Sequence, residues 1–155
     1  MCFRNKKKVN ANRESVAVYF DANDGSFYFE VVSESEFKQF KVGKTQSAEA
    51  MFGLSQTPFD NAKGIAWEYD NPQVLYITDV VLKHSAADVI LDVLHDVMVM
   101  NVMEREAETM RLELPADSPL AASLSKEDDY RIAGQADGYV YFEVDISAFE
   151  ETANC

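Results

Sequence analysis

Residues 80–94 read VVLKHSAADVILDVL. A strand-like run, VLYITDVVL at 74–82, leads in, and a long apolar run leads out. A strand feeding a helix is a ready anion site, because the first amides of a helix lack partners and its dipole favours negative charge. Glycines normally let the backbone approach a phosphate there. This turn has no glycine and no arginine, and Asp88 stands where an anion would sit. Ser85 and Asp88 form an S-x-x-D start signal, which predicts a helix capped by Ser85. Val89, Ile90, Val93, Leu94, Val97, Met98, Met100 and Met103 cover more than one face, so the helix is expected to be largely buried. Asp88, Asp92, His95 and Asp96 form its one polar stripe and read as a solvated face.

Upstream, SVAVYF and SFYFEVV flank DANDG, a hairpin signal. QSAEAMFGL reads as a short helix and TPFDNAKG as a loop. GIAWEY and VLYITDVVL flank DNPQ, where Asn71-Pro72 marks a turn, and predict a second hairpin. Downstream, MRLELP is a strand stopped by Pro115. DSPLAASLSKE is a short helix capped by Asp117 or Ser118, and YRIAG and GYVYFEVDI are strands around Asp137-Gly138. DGSFYFEVVS and DGYVYFEVDI echo each other as two hairpins of the same chemistry. The fold class is α/β in the mixed, α+β sense: a central, mostly antiparallel sheet with a long buried helix after the central strand.

A chain of 155 residues is expected to be one domain, and at that size it buries roughly 70% of its unfolded surface without needing disulfides or metal. We divide it into a basic arm at 1–15, a domain at 16–150 and a tail at 151–155. The arm holds five of the 14 basic residues against one acid, which leaves residues 16–155 with 26 acids against 9 bases, net −17. So acidic a body repels nucleic acid; it reads first as a solubility feature, with attraction to a basic protein surface as the alternative. Cys2 and Cys155 form no disulfide framework and fit a reducing, cytoplasmic setting. There is no apolar signal region, and no uncharged apolar run reaches the ~18 residues of a membrane span.

Motifs for catalysis are sparse. G-x-S-x-G, the P-loop and G-x-G-x-x-G are absent. The acidic stripe offers one side of a metal sphere and no second ligand cluster, so no metal is expected. Trp67, Tyr69 and Tyr76 read as packing rather than a base-stacking platform. His84 lies in the strand-to-helix loop.

The block VLYITDVVL, helix, MRLELPADSPLAASL, DDYRI, GYVYFEVDI resembles the second half of the GNAT acyltransferase superfamily. The resemblance runs from Val74 to Asp145. It implies a strand that splays from its neighbour so that acyl-CoA slots into the gap, with the pyrophosphate held by a Val, Arg/Gln, Gly-x-Gly-x-Gly/Ala loop. Counted from Val81, the Arg/Gln position falls on Ala86, the glycines on Ala87 and Val89, and the last small position on Leu91. The family's later tyrosine, a general acid toward the CoA thiolate, falls on Ser125. Positions that carry the architecture match, and positions that carry the chemistry do not.

Two expectations follow. The first is a GNAT-like protein that has lost acyl-CoA binding and serves as a non-catalytic module for a protein partner, either another copy of itself or a basic surface. Asp88 would fill the free amides with its own carboxylate. A pyrophosphate ~4 Å from it would pay roughly 4 kcal/mol at an effective dielectric near 20, roughly a thousandfold in affinity. The second is an active N-acetyltransferase using acetyl-CoA held by Val81, Ala86, Ala87, Asp88, Val89 and Ile90, with Glu68, Asp79 or His84 polarising the amine. A third, weaker reading is an acidic mimic of nucleic acid.

Overall fold

The computed structural model describes residues 13–45, 47–60, 62, 64–83 and 86–149. Seven strands form one sheet: β1 (Glu14–Phe20), β2 (Phe27–Val32), β3 (Ala50–Ser55), β4 (Val74–Leu82), β5 (Thr109–Pro115), β6 (Arg131–Ala136) and β7 (Tyr139–Asp145). Their order is β2-β1-β3-β4-β5-β7-β6. Every adjacent pair is antiparallel except β4 and β5, which run parallel. Parallel neighbours need a crossover, and helix α2 (Val89–Glu104) supplies it. Helices α1 (Glu34–Lys41) and α3 (Pro119–Leu124) complete the element order. This is the mixed, mostly antiparallel architecture expected, with the long helix after the central strand.

The sheet divides two chemistries. On the α2 and α3 side, alternate residues of five strands (Val16, Phe52, Leu75, Leu112 and Phe142 among them) pack against Leu94, Val97 and Met98 of α2. On the other side α1 presses Phe37 and Phe40 onto Ala17 and Met51. Beyond α1 that second face turns polar, with Ser55, Tyr76, Arg111 and Glu143 all buried.

Local signals explain most elements. Ser118 caps α3 by accepting from the Ala121 amide at 3.2 Å, with Pro119 opening the helix. Ser33 caps α1 by accepting from Glu36 N at 3.1 Å. That S-x-x-E box went unread in the sequence. The DANDG hairpin and the Asp137-Gly138 hairpin form as expected.

Three expectations are corrected. QSAEAMFGL is no helix: Ala50–Ser55 is strand β3, buried along its whole length. A short apolar run with no polar alternation does not distinguish the two states. GIAWEY forms no hairpin with β4, which pairs instead with β3 and β5. Its alternating pattern is real, but its amides go elsewhere, as described below. Finally, α2 begins at Val89 with Asp88 as N-cap; Ser85, the expected cap, lies outside the described residues, as does His84.

Candidate functional site

The β4–β5 ladder covers only Val74–Ile77 against Thr109–Leu112. Beyond it β4 stays with β3 as far as Leu82, and β5 stays with β7 as far as Pro115. The two strands therefore part at Thr78 and Glu113. A register shift between Met51 and Gly53 of β3, opposite Val81 and Thr78, marks the same place. Asp79 absorbs the extra residue with φ 51°, a left-handed conformation that Asp tolerates better than most residues.

A cleft of about 420 Å³ opens at this parting, on the α1 side of the sheet. Its walls include Ser55, Phe59, Asp60, Tyr76, Thr78 and Glu113, with Arg13 and Asp79 at one end. Glu113 is held from both sides: the Thr78 hydroxyl donates to Oε1 at 3.0 Å and the Tyr141 hydroxyl to Oε2 at 2.6 Å. Burial first, then this bond and the Glu113 charge, push the Tyr141 phenol well above its ordinary range, so it stays a proton donor. Asp79 pairs with Arg13 at 2.6 Å and with Lys41 at 3.7 Å. Gly53 makes room for that pair, because a Cβ there would collide with the Arg13 guanidinium. Among the described residues Glu113 has two hydroxyl donors and no bonded cation, so its carboxylate charge faces the cleft with Asp60, while Asp79 is matched by Arg13 and Lys41. The cleft is therefore suited to a cationic group.

Beside the cleft lies a buried ion network. Glu143 is 0% exposed. Its carboxylate accepts from Glu68 N at 2.8 Å, Tyr69 N at 3.2 Å, Arg111 Nε at 3.0 Å and an Arg131 guanidinium nitrogen at 2.9 Å. Burial alone would raise its pKa, but these four donors outweigh it and hold the carboxyl below its ordinary 4.5. Two of the GIAWEY amides, those of Glu68 and Tyr69, end here on a side-chain carboxylate rather than on a strand partner. Trp67 lies over the Arg111 guanidinium at 4.5 Å and meets Phe59 and Tyr141, the packing role expected of it.

The expected site residues are thus scattered. Asp79 lines the cleft. The Glu68 side chain is 62% exposed, pairs with Arg131 at 3.0 Å and belongs to the ion network rather than the cleft wall. Glu113, Thr78 and Tyr141 were missed. The signal for Glu113 and Tyr141 was a polar residue at every second position of MRLELP and YVYFEVD, which the register sets opposite one another as Arg111–Glu143 and Glu113–Tyr141.

At the mouth of α2, Val81 and Ala86 are half-buried, Ala87, Asp88 and Val89 are exposed, and Ile90 is buried. The Asp88 carboxylate makes no capping bond, which corrects the expectation that it fills the helix amides. Its backbone is already helical (φ −57°, ψ −32°), whereas a capping side chain reaches back from an extended one. Main-chain carbonyls take that place. Ala86 N donates to Lys83 O, Ile90 N to Ala87 O and Leu91 N to Asp88 O, at 2.9–3.0 Å. Lys83, the nearby cation, pairs with Glu49 at 3.8 Å. His95 also departs from the solvated face: its ring bonds the Tyr130 hydroxyl and packs on Phe149, while Asp92 and Asp96 are exposed as expected. Desolvation lowers the His95 pKa against the opposing pull of Asp96, Glu127 and Asp92. Among the described residues no group of three or more His, Cys, Asp or Glu could hold a metal, and no helix is long and apolar enough to cross a membrane.

No protein-family model matches the chain, and no curated protein matches its sequence. Solved structures similar in fold include three. One is a Staphylococcus aureus Mu50 protein described as an acetyltransferase, at TM-score 0.48 and 13% identity over 72% of this chain and 79% of that one. Another is a bacterial toxin, at 0.44 and 10% over 78% of each chain. The third is a Bacillus subtilis acetyltransferase in complex with CoA, at 0.40 and 13% over 76% and 74%. Likenesses this distant add no functional argument to the strand order and the parting of β4 from β5.

Proposed function

We propose that this chain is a GNAT-like binding module that does not take acyl-CoA, and that its partner is a protein presenting a basic group to the Glu113 cleft. One observation carries the first half: the amides of Ala86, Ile90 and Leu91, at the position where the fold would hold a pyrophosphate, are spent on main-chain carbonyls. Asp88 and Asp92 add negative charge in the same turn. A diphosphate would have to break those bonds and meet those charges, with Lys83 already paired. The acidic lining of the cleft and the net charge of −13 support the second half.

The test is a titration with a lysine- and arginine-rich peptide at two salt concentrations. Binding that weakens with salt and is lost in Glu113→Gln supports the reading. Binding unaffected by that substitution refutes the cleft as the docking point.

A second reading, an acetyl-CoA-dependent N-acetyltransferase, is favoured by the opening between β4 and β5, with Asp79 and Glu113 at its rim as candidates to polarise an amine. It requires thiol release from acetyl-CoA with an amine acceptor. Finding none across a broad amine panel would remove it.

A further inference from the structure

The two edges of the sheet are treated differently. At the β6 edge the ladder is interrupted between Ile132 and Gly134, and the segment before Trp67 covers it: Ala66 N donates to Ala133 O, and a Cβ on Gly134 would collide with Ile65. A bulge and a covering segment are two of the devices that stop an edge strand from recruiting another. The β2 edge has neither among the described residues. Its ladder with β1 runs unbroken through six pairs, Ser15↔Val32 to Phe20↔Phe27. It carries no Pro and no Lys, and its only charge is Glu30. Phe27, Tyr28 and Val31 are 37%, 60% and 56% exposed.

The sequence of β2 is that of an interior strand. Tyr28-Phe29-Glu30-Val31 repeats residue for residue as Tyr141-Phe142-Glu143-Val144. In β7 that tetrapeptide has a strand on each side, β5 and β6, and all four residues are buried. In β2 it has one neighbour.

We infer that the outer edge of β2 pairs antiparallel with β2 of a second copy, joining two sheets about a two-fold axis at Phe29. The register follows from elementary geometry. A two-fold normal to the sheet preserves its faces, and opposed residues of antiparallel strands share a face. The axis must therefore pass through a residue. At Glu30 it would oppose two carboxylates; at Tyr28 only three residues of each strand would overlap. At Phe29 five overlap. Phe29 meets its own copy, Phe27 meets Val31, and the Tyr28 phenol meets the Glu30 carboxylate of the other chain. Phe27, Phe29 and Val31 share the α2 face, since Phe20, Val18 and Val16, their partners on β1, lie in or against that core. Met100 and Met103 of α2 lie beside Phe27 and extend the apolar strip.

The contact is one strand wide, below the ~1,000 Å² of a tight interface, so the dimer is weak and reversible. Two chains of net charge −13 repel, so it tightens as salt is added. This inference is independent of the CoA reading, because no CoA is present in its test. Sedimentation velocity on the full chain should show a reversible monomer–dimer equilibrium that shifts toward the dimer as protein concentration rises. It should strengthen from about 0.1 to about 1 M salt, as screening shortens from about 10 to about 3 Å. Val31→Lys should raise the dissociation constant at least about tenfold with an unchanged thermal midpoint, because lysine blocks edges. Val31→Thr should retain the dimer. Amide exchange of residues 27–32 in the unaltered protein should slow as concentration rises, which needs no variant. A monomer throughout, an equally tight Val31→Lys dimer, association weakened by salt, or concentration-independent exchange at 27–32 would each overturn the inference.

Discussion

Replacing Glu143 with glutamine isolates what holds the polar half of the sheet. The carboxylate is fully buried and accepts four bonds, two from backbone amides and two from guanidinium groups. Glutamine keeps one oxygen and turns the other acceptor into a donor facing donors. Arg111, whose side chain is 9% exposed, then keeps its charge without its counter-charge. Arg131 is 32% exposed, and water compensates it in part. Breaking a buried pair by removing one partner costs about 3–5 kcal/mol, roughly a fifth or more of the stability of a typical domain. At about 2–4 °C per kcal/mol, the midpoint should fall by about 6–20 °C. Glu68→Ala is the control: its side chain is 62% exposed, its amide bond to Glu143 survives, and the loss should stay under about 1 kcal/mol. Acid should act as the mutation does. The folded pKa of Glu143 lies below the ordinary 4.5, so its contribution is whole above pH 4.5 and is lost as pH falls through the folded value. Glu143→Gln should flatten that acid limb. Urea unfolding of the three proteins at pH 7, and of the two Glu143 forms at decreasing pH, measures all of this. A Glu143→Gln loss below about 1 kcal/mol, or no larger than that of Glu68→Ala, would refute the reasoning.

Further outcomes are expected. Ser118→Ala should cost about 1 kcal/mol because its side chain caps α3, whereas Asp88→Ala should cost a few tenths at most, having no capping bond to lose; chemical denaturation in which Asp88→Ala is the costlier change would contradict the geometry. The lowered pKa of His95 makes its contribution complete above pH 6.5 and reduced as pH falls below it, so thermal midpoints should drop between pH 8 and 5.5, and less so in His95→Gln. Gly53→Ala should displace the Arg13 guanidinium from Asp79, which the Arg13 side-chain chemical shifts would report; unchanged shifts would show that the glycine is dispensable.

Much of the fold was readable where pattern and punctuation agree. The DANDG and Asp137-Gly138 hairpins, α2 and the Ser118-capped α3 all combine a periodic run with a turn or cap. β3 failed because AMFGLS is buried on both faces and therefore has no alternation to read. GIAWEY failed for the opposite reason. Its alternation was sound, but Glu143, 75 residues from Glu68, takes the amides of Glu68 and Tyr69 and Ala133 takes that of Ala66, and no local pattern announces such distant partners. The site divided in the same way. Asp79, a candidate because it sits in the strand that decides the topology, lines the cleft. Glu113 and Tyr141 were missed because each is one polar residue in an apolar strand, and only the β5–β7 register makes them a pair. At the helix mouth the sequence shows a turn without glycine or arginine, and the expectation drawn from it was that Asp88 fills the helix amides. That expectation was wrong, since carbonyls of Lys83, Ala87 and Asp88, not the Asp88 carboxylate, take up the amides.

Whether those amides still accept a diphosphate is measured most directly by calorimetric titration of the full chain with acetyl-CoA at moderate ionic strength. No saturable heat is expected at micromolar ligand, since a diphosphate would have to displace the main-chain acceptors of those amides and meet the charges of Asp88 and Asp92. A clean micromolar isotherm, with the amide resonances of residues 86–91 shifting in proportion, would contradict the central claim.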